Sequence, residues 1–346
     1  MKSLLPLLLL FSFIRLQAEE WTFLNPQTNA DLVSIKMADA LNGFAAGNES
    51  GHAVLLRTSD AGENWELTTI ENFTLKCMAV IDNNRILLGG EDMICGCATV
   101  FYSEDQGYSW VNNSPVQIQA FGSVNFLSSD DSGKAVAIAD NNGILVSENG
   151  FISRTVLQSP VPFVSEARAS ENESVIIRGS FLQSGFSEIW KSTSDQWEQI
   201  TNLTSDNSIS GFDYCNGNLF TAINSGSFPH FNHCVLRSSD WGTHWDTLYF
   251  SADHEDLLQK IIFKNVNKGY TYTETGAVIS TQDAGETWQM LQTEIPLKEI
   301  TSVDMITPVY GFASSNAGVI MRFGSPAGLN SFNLKSKLIV FPRSCF

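Results

Sequence analysis

Two of the chain's five histidines stand three residues apart, in Phe228-Pro229-His230-Phe231-Asn232-His233. A neutral imidazole can take a proton or lend a lone pair to a metal, and phenylalanine rings stack on sugar or peptide groups. No acidic ligand stands adjacent in the chain, and the neighbouring Cys234 is read as a disulfide tie, so the expectation here is a ligand grip with no metal and no cofactor. Two other stretches are enlarged in the same way: residues 91–99, which hold Met93, and residues 180–188, which hold Phe181 and Phe186. Candidate ligand contacts are therefore Phe228, His230, Phe231 and His233, joined by Phe181, Phe186 and Met93. No catalytic residue is assigned. HExxH, GxSxG, P-loop and GxGxxG motifs are absent from any credible context. Asp39, Asp82 and Asp130 recur after the first strand of successive repeats, which favours turn chemistry over catalysis.

These residues interrupt a repeat. Thr281-Gln282-Asp283-Ala284-Gly285-Glu286-Thr287-Trp288 is repeated by Thr58 to Trp65, Ser103 to Trp110 and Ser238 to Trp245, with worn copies around Asn149 and Asp195. The Asp or Asn positions are 60, 105, 149, 195, 240 and 283, a spacing of 43 to 46 residues. A period of that size built from short strands indicates propeller blades. In each copy the carboxylate of Asp60, Asp105, Asp240 or Asp283 can hold a tight turn. Gly62, Gly107, Gly242 and Gly285 supply a backbone shape that a Cβ opposes. Trp65, Trp110, Trp245 and Trp288 carry a large ring into the next strand, and burial of all four is expected.

The motif resembles the Asp-box, or bacterial neuraminidase repeat, of sialidases, sortilin-type receptors, reducing-end xyloglucanases and photosystem II assembly factors. That resemblance covers nearly all of the mature chain and implies the fold, since such boxes occur in enzymes and non-enzymes alike. A sialidase would also carry an Arg-Ile-Pro motif and an arginine triad. No Arg-Ile-Pro occurs, and Arg57, Arg237 and Arg322 fall at one periodic strand position, which marks them as structural. The resemblance to photosystem II assembly factors lies in the blade pattern, and the basic patch those factors display is not expected in so acidic a chain.

Seven repeats can be laid out, beginning at Leu32, Thr74, Phe121, Phe163, Ser208, Leu257 and Glu299. The seventh lacks an outer strand, and Trp21-Thr22-Phe23-Leu24 is a spare one. The expected fold is all-β, a seven-bladed propeller of four-stranded antiparallel blades closed by the N-terminal strand. The propeller domain spans residues 19–326. Residues 1–18 read as a signal peptide, with Lys2 before an apolar run too short for a membrane span. Residues 327–346 resemble a truncated type IX secretion sorting tail.

The chain has 346 residues and a formal charge of −17, which argues against nucleic acid or an anionic membrane as partner. Six cysteines in an exported chain permit disulfides, with Cys77 to Cys95 or Cys97 as one pairing. A secreted or cell-surface, monomeric, non-catalytic propeller is expected, binding an extracellular protein or glycan or serving as a scaffold. A carbohydrate-active glycoside hydrolase is the rival reading. Two carboxylates facing each other across the channel would favour the rival.

Overall fold

The computed structural model describes residues 20–112, 122–130, 132–140, 143–149, 151, 155–169, 175–180, 188–192, 196–200, 207–291, 294–296 and 299–326. Both the signal-peptide segment 1–18 and the tail 327–346 lie outside the described residues.

Seven four-stranded antiparallel sheets form, six of them meanders in chain order. Their first strands are Asp31–Met37, Phe73–Val80, Val124–Ser129, Phe163–Ala169, Asn207–Cys215, Leu258–Phe263 and Ser302–Thr307, which define blades one to seven. First strands of neighbouring blades pack on one another, so they form the inner ring around the central channel. The second strands are runs of small and β-branched residues such as Ala135–Ala139, buried on both faces. Blade seven takes its outer strand from the other end of the chain. Trp21–Leu24 pairs antiparallel with Ile320–Phe323, with Trp21 opposite Phe323. The expected closure is therefore present.

The core is divided among the gaps between blades. Leu32, Ile35 and Leu56 of blade one pack with Tyr310, Phe312 and Ile320 of blade seven. Phe44, Leu55, Phe73 and Leu88 join blades one and two. Phe212, Leu219 and Leu236 of blade five meet Ile176 and Ile189 of blade four. Seven such clusters fill seven gaps, one per pair of neighbours. Burial of apolar area, at roughly 25 cal/mol per Å², thus acts between blades.

Each full box is the same small network. In the first, Thr58 Oγ1 accepts a bond from the Gly62 N–H at 2.8 Å and donates to Asp60 Oδ1 at 2.9 Å. Asp60 Oδ1 then accepts from the Asn64 N–H at 2.9 Å. The matching Gly107, Gly242 and Gly285 N–H groups bond Ser103, Ser238 and Thr281. Two successive residues, Ala61 at φ 62 and Gly62 at φ 82, make the left-handed turn. In the worn copy, the bond to Ser147 Oγ comes from the N–H of Phe151, at φ 67, instead of a glycine. Full burial of the Phe151 ring offsets that strained backbone.

The periodic arginines have a clear task. Arg57 of blade one donates to the Gln106 carbonyl in the box of blade two. Arg237 of blade five donates to Ala284 of blade six, and Arg322 of blade seven to Ala61 of blade one. All three carbonyls belong to the residue just after the box aspartate, so each arginine ties its blade to the next box. Asp39, Asp82 and Asp130 cap the first turns through backbone N–H groups, as their spacing implied.

Two expectations need correction. Among the box tryptophans only Trp288 is fully buried, at 2% exposure, because Tyr249 and Phe263 close over it. Trp65, Trp110 and Trp245 lie at the rim and are half-buried. A disulfide links Cys95 to Cys97, and Cys77 is a free thiol. Cys77 sits on the inner strand against Val124, away from the hairpin that carries the other two.

Candidate functional site

The box turns and the first-to-second strand turns share one face, since the Ala61 N–H bonds the Leu41 carbonyl and the Gln106 N–H the Asn84 carbonyl. Second-to-third strand hairpins emerge on the other face. Two of the three enlarged stretches can be followed there.

In blade five the stretch is regular strand. Asn218–Ser227 and His230–Ser238 stay paired out to Ser227 opposite His230, and the fourth strand, Asp246–His254, follows them. The expected irregular loop is a projecting hairpin, because the ladder between the second and third strands continues unbroken to the turn. Its turn is Phe228-Pro229, joined by a cis peptide bond, and the Phe228 ring is 74% exposed. His230 is exposed and pairs with Asp253. Phe231 is half-buried.

His233 faces the other way. It is 1% exposed and stacks on His254 with ring centroids 4.0 Å apart and planes 6° apart. Its Nε2 lies 2.9 Å from the Asp256 carbonyl oxygen and 3.7 Å from Asp256 Oδ1. Strand alternation explains the split, since residues three apart fall on opposite faces. His233 is thus an interior group and not a surface contact. Burial pushes its pKa down, so the ring is neutral near pH 7. Reading the sequence locally missed His254 and Asp256, which reach His233 only through the pairing of the third and fourth strands.

In blade two, Met93 and the neighbouring Ile94 sit at the hairpin tip, 54% and 80% exposed. Phe181 and Phe186, in blade four, lie outside the described residues.

The channel wall carries a second group of residues. Lys36, Arg168, Asp213 and Asp304 hold equivalent places on the inner strands of blades one, four, five and seven, by register with the second strands. Glu166 and Lys260 stand two residues earlier on blades four and six. Asp213 accepts from Arg168 at 2.7 Å and from the Phe263 N–H of the next blade at 2.7 Å. Asp304 accepts from the Met37 N–H at 2.7 Å and from Lys264. Glu166 accepts from Arg178 at 3.1 Å and from the Phe212 N–H at 3.2 Å. Each carboxylate therefore links its blade to the next one. Burial pushes the Asp304 carboxyl up, but Lys264, Lys36 and hydrogen bonds outweigh it and hold the group below its usual range. A general acid needs the opposite shift.

Lys36 and Lys260 differ from these. Neither side-chain ammonium makes an ion pair or hydrogen bond among the described residues. Desolvation lowers the Lys36 pKa to about 8 against the pull of Asp304, and lowers that of Lys260. Yet Lys260 is exposed and Lys36 half-buried. Groups that meet water and are still enclosed by protein point into a narrow channel. In a chain of charge −17 they mark a local cationic spot. No helix among the described residues is long and apolar enough to cross a membrane.

Known proteins share this architecture. The chain is similar to the photosystem II assembly protein Ycf48 of Thermosynechococcus vestitus, with 22% identity over 312 residues, 88% of this chain and 84% of that protein. Among solved structures it resembles YCF48 bound to D1 peptide, with a TM-score of 0.62 and 17% identity, covering 89% of this chain and 97% of that one. A xyloglucanase of Xanthomonas campestris is also similar, with a TM-score of 0.55 and 13% identity over 86% of this chain and 59% of its own. The structural likenesses show the fold alone. A secreted or cell-surface location is overturned by the match to photosystem II assembly proteins. The extracellular partner falls with it. The family described as Photosynthesis system II assembly factor YCF48 matches residues 14–324, and the chain belongs to that family.

Proposed function

We propose that this propeller is a non-catalytic assembly factor that holds a protein segment at the mouth of its channel, with an acidic side chain or terminal carboxylate of that segment against Lys36 and Lys260. The carrying observation is the pair itself: two enclosed lysine ammonium groups that take no partner among the described residues. Asp304 near Lys36 and Glu166 near Lys260 are committed to other donors, so an incoming carboxylate would give each ammonium the direct charged hydrogen bond it lacks. By register Lys260 stands nearer the hairpin face than Lys36. A segment laid across that face would meet Lys260 first and could reach Phe228, Phe231 and Met93 at the rim. Support also comes from the solved relative named as bound to D1 peptide. The channel carboxylates Glu166, Asp213 and Asp304 are each tied up in two or more bonds, which speaks against the hydrolase reading.

Fluorescence anisotropy with a labelled D1-derived peptide and with short acidic peptides, free and amidated at the C-terminus, tests the proposal. Binding should weaken as salt rises and should fall at least tenfold in the Lys36→Met/Lys260→Met double variant. Equal binding by that variant, with its fold intact by circular dichroism, would refute the channel as the site.

A further inference from the structure

We propose that His233, His254 and Asp256 form a divalent transition-metal site of the zinc class at the junction of blades five and six. One ligand atom from each of the three lies within 4.8 Å of the others. Two imidazoles and a carboxylate are a donor set zinc takes, with a fourth position left for water.

The surroundings are prepared for an ion. Asp256 accepts a bond from Thr275 Oγ1 at 2.7 Å, so blade six orients the carboxylate. His254 Nε2 lies 2.7 Å from Ser251 Oγ, and its Nδ1 takes no hydrogen bond among the described residues. Such outer partners fix the tautomer and the ring direction of a metal ligand. His233 Nδ1 is buried with no hydrogen-bond partner. With Nε2 donating to the Asp256 carbonyl, that nitrogen is a lone pair nothing satisfies, and buried polar atoms of this kind call for an explanation.

One adjustment is required. The two rings lie parallel, so their in-plane lone pairs do not converge. Tetrahedral bonds of about 2.0–2.1 Å put ligand nitrogens about 3.3 Å apart. The half-buried His254 ring must therefore tilt away from the stack, while His233 is held by the interior. The exposed His230–Asp253 pair is a separate contact on the outer face of the hairpin.

The test is a calorimetric titration of zinc chloride into the untagged full chain after chelator treatment, with the absorption spectrum of the cobalt(II) form as a second readout. One equivalent should bind with micromolar or tighter affinity, and cobalt should give the intense visible bands of a four-coordinate site. His254→Gln and Asp256→Asn should each weaken binding at least tenfold, whereas His230→Ala should leave it unchanged. Because His233→Ala removes an interior ring and can unfold the hairpin, the half-buried His254 and Asp256 variants carry the decision. Absence of binding at 100-fold ion excess over about 10 µM protein, near the working range of weak extracellular-type sites, would overturn the proposal. So would equal affinity in the folded His254→Gln variant.

Discussion

The two faces of this propeller are built by opposite rules. On the box face, one network of hydroxyl, carboxylate and glycine N–H recurs in blades one, two, five and six, and arginines from blades one, five and seven bind the next box. On the hairpin face less recurs among the described residues, although Asn48 of blade one and Asn224 of blade five make the same clamp to the next blade's first strand. Blade five projects a long hairpin with its histidines, blade two carries a disulfide under Met93 and Ile94, and Lys260 lies toward this side of the channel. Repetition marks what every blade needs to be a blade. A feature present in one blade only is free of that duty, and recognition can be placed there.

That contrast can be broken in order of size. Deleting residues 19–26 removes the outer strand of blade seven and opens an edge, so the variant should aggregate and lose a cooperative melt in scanning calorimetry. A monomer with an unchanged melting temperature would show that closure contributes nothing. Trp288→Ala should cost about 3–5 kcal/mol in chemical denaturation, as for other buried large aromatics. Trp65→Ala, at a half-buried ring, should cost clearly less, and equal losses would show that box tryptophans act alike whatever their burial. Arg57→Leu should cost about 1.5–3 kcal/mol, the range for a hydrogen bond from a charged donor, with peptide affinity unchanged. A loss of affinity there would mean that the box face also takes part in recognition.

The smallest effect concerns pH. His233 has its pKa lowered by burial, so the folded chain binds its proton less readily than the unfolded chain does. Stability from this group is then complete above the unfolded value of about 6.5 and falls as pH drops through and below it. The slope of melting temperature against pH between about 5 and 7 should flatten in His233→Phe if that variant folds. An unaltered slope would assign acid sensitivity to other groups.

Much of the box face was legible in the sequence because its information is local. Asp60 bonds atoms two to four residues away, and the same letters spell the same turn each time. Closure by Trp21–Leu24 was legible from a missing strand, an argument about counting and not about distance. The channel was not legible. Lys264 and Asp304 are 40 residues apart and Met37 and Asp304 are 267 apart, so nothing nearby in the chain announces either contact. His254 and Asp256 were missed for the same reason, while His230 and His233 drew attention by being close together and then proved to face opposite ways. Trp65 and Trp288 occupy the same place in the repeat, and only the neighbours supplied by adjacent strands distinguish their burial.

The pairing of Trp21 with Phe323 has a consequence for how the chain is made. Thr22 bonds the Arg322 carbonyl across 300 positions, so the first strand of the propeller to leave the ribosome is the last to find its place. Blades one to six can form as they emerge, each resting on its predecessor, but blade seven must wait for both ends. At about 5–20 residues per second, synthesis of the intervening stretch leaves Trp21–Leu24 without its neighbour for tens of seconds. During that interval Leu32, Ile35 and Leu56 of blade one also lack the Tyr310 and Phe312 that cover them in the finished ring. The nascent protein therefore carries an apolar face and an unsatisfied strand at its leading end, the part a chaperone would meet first.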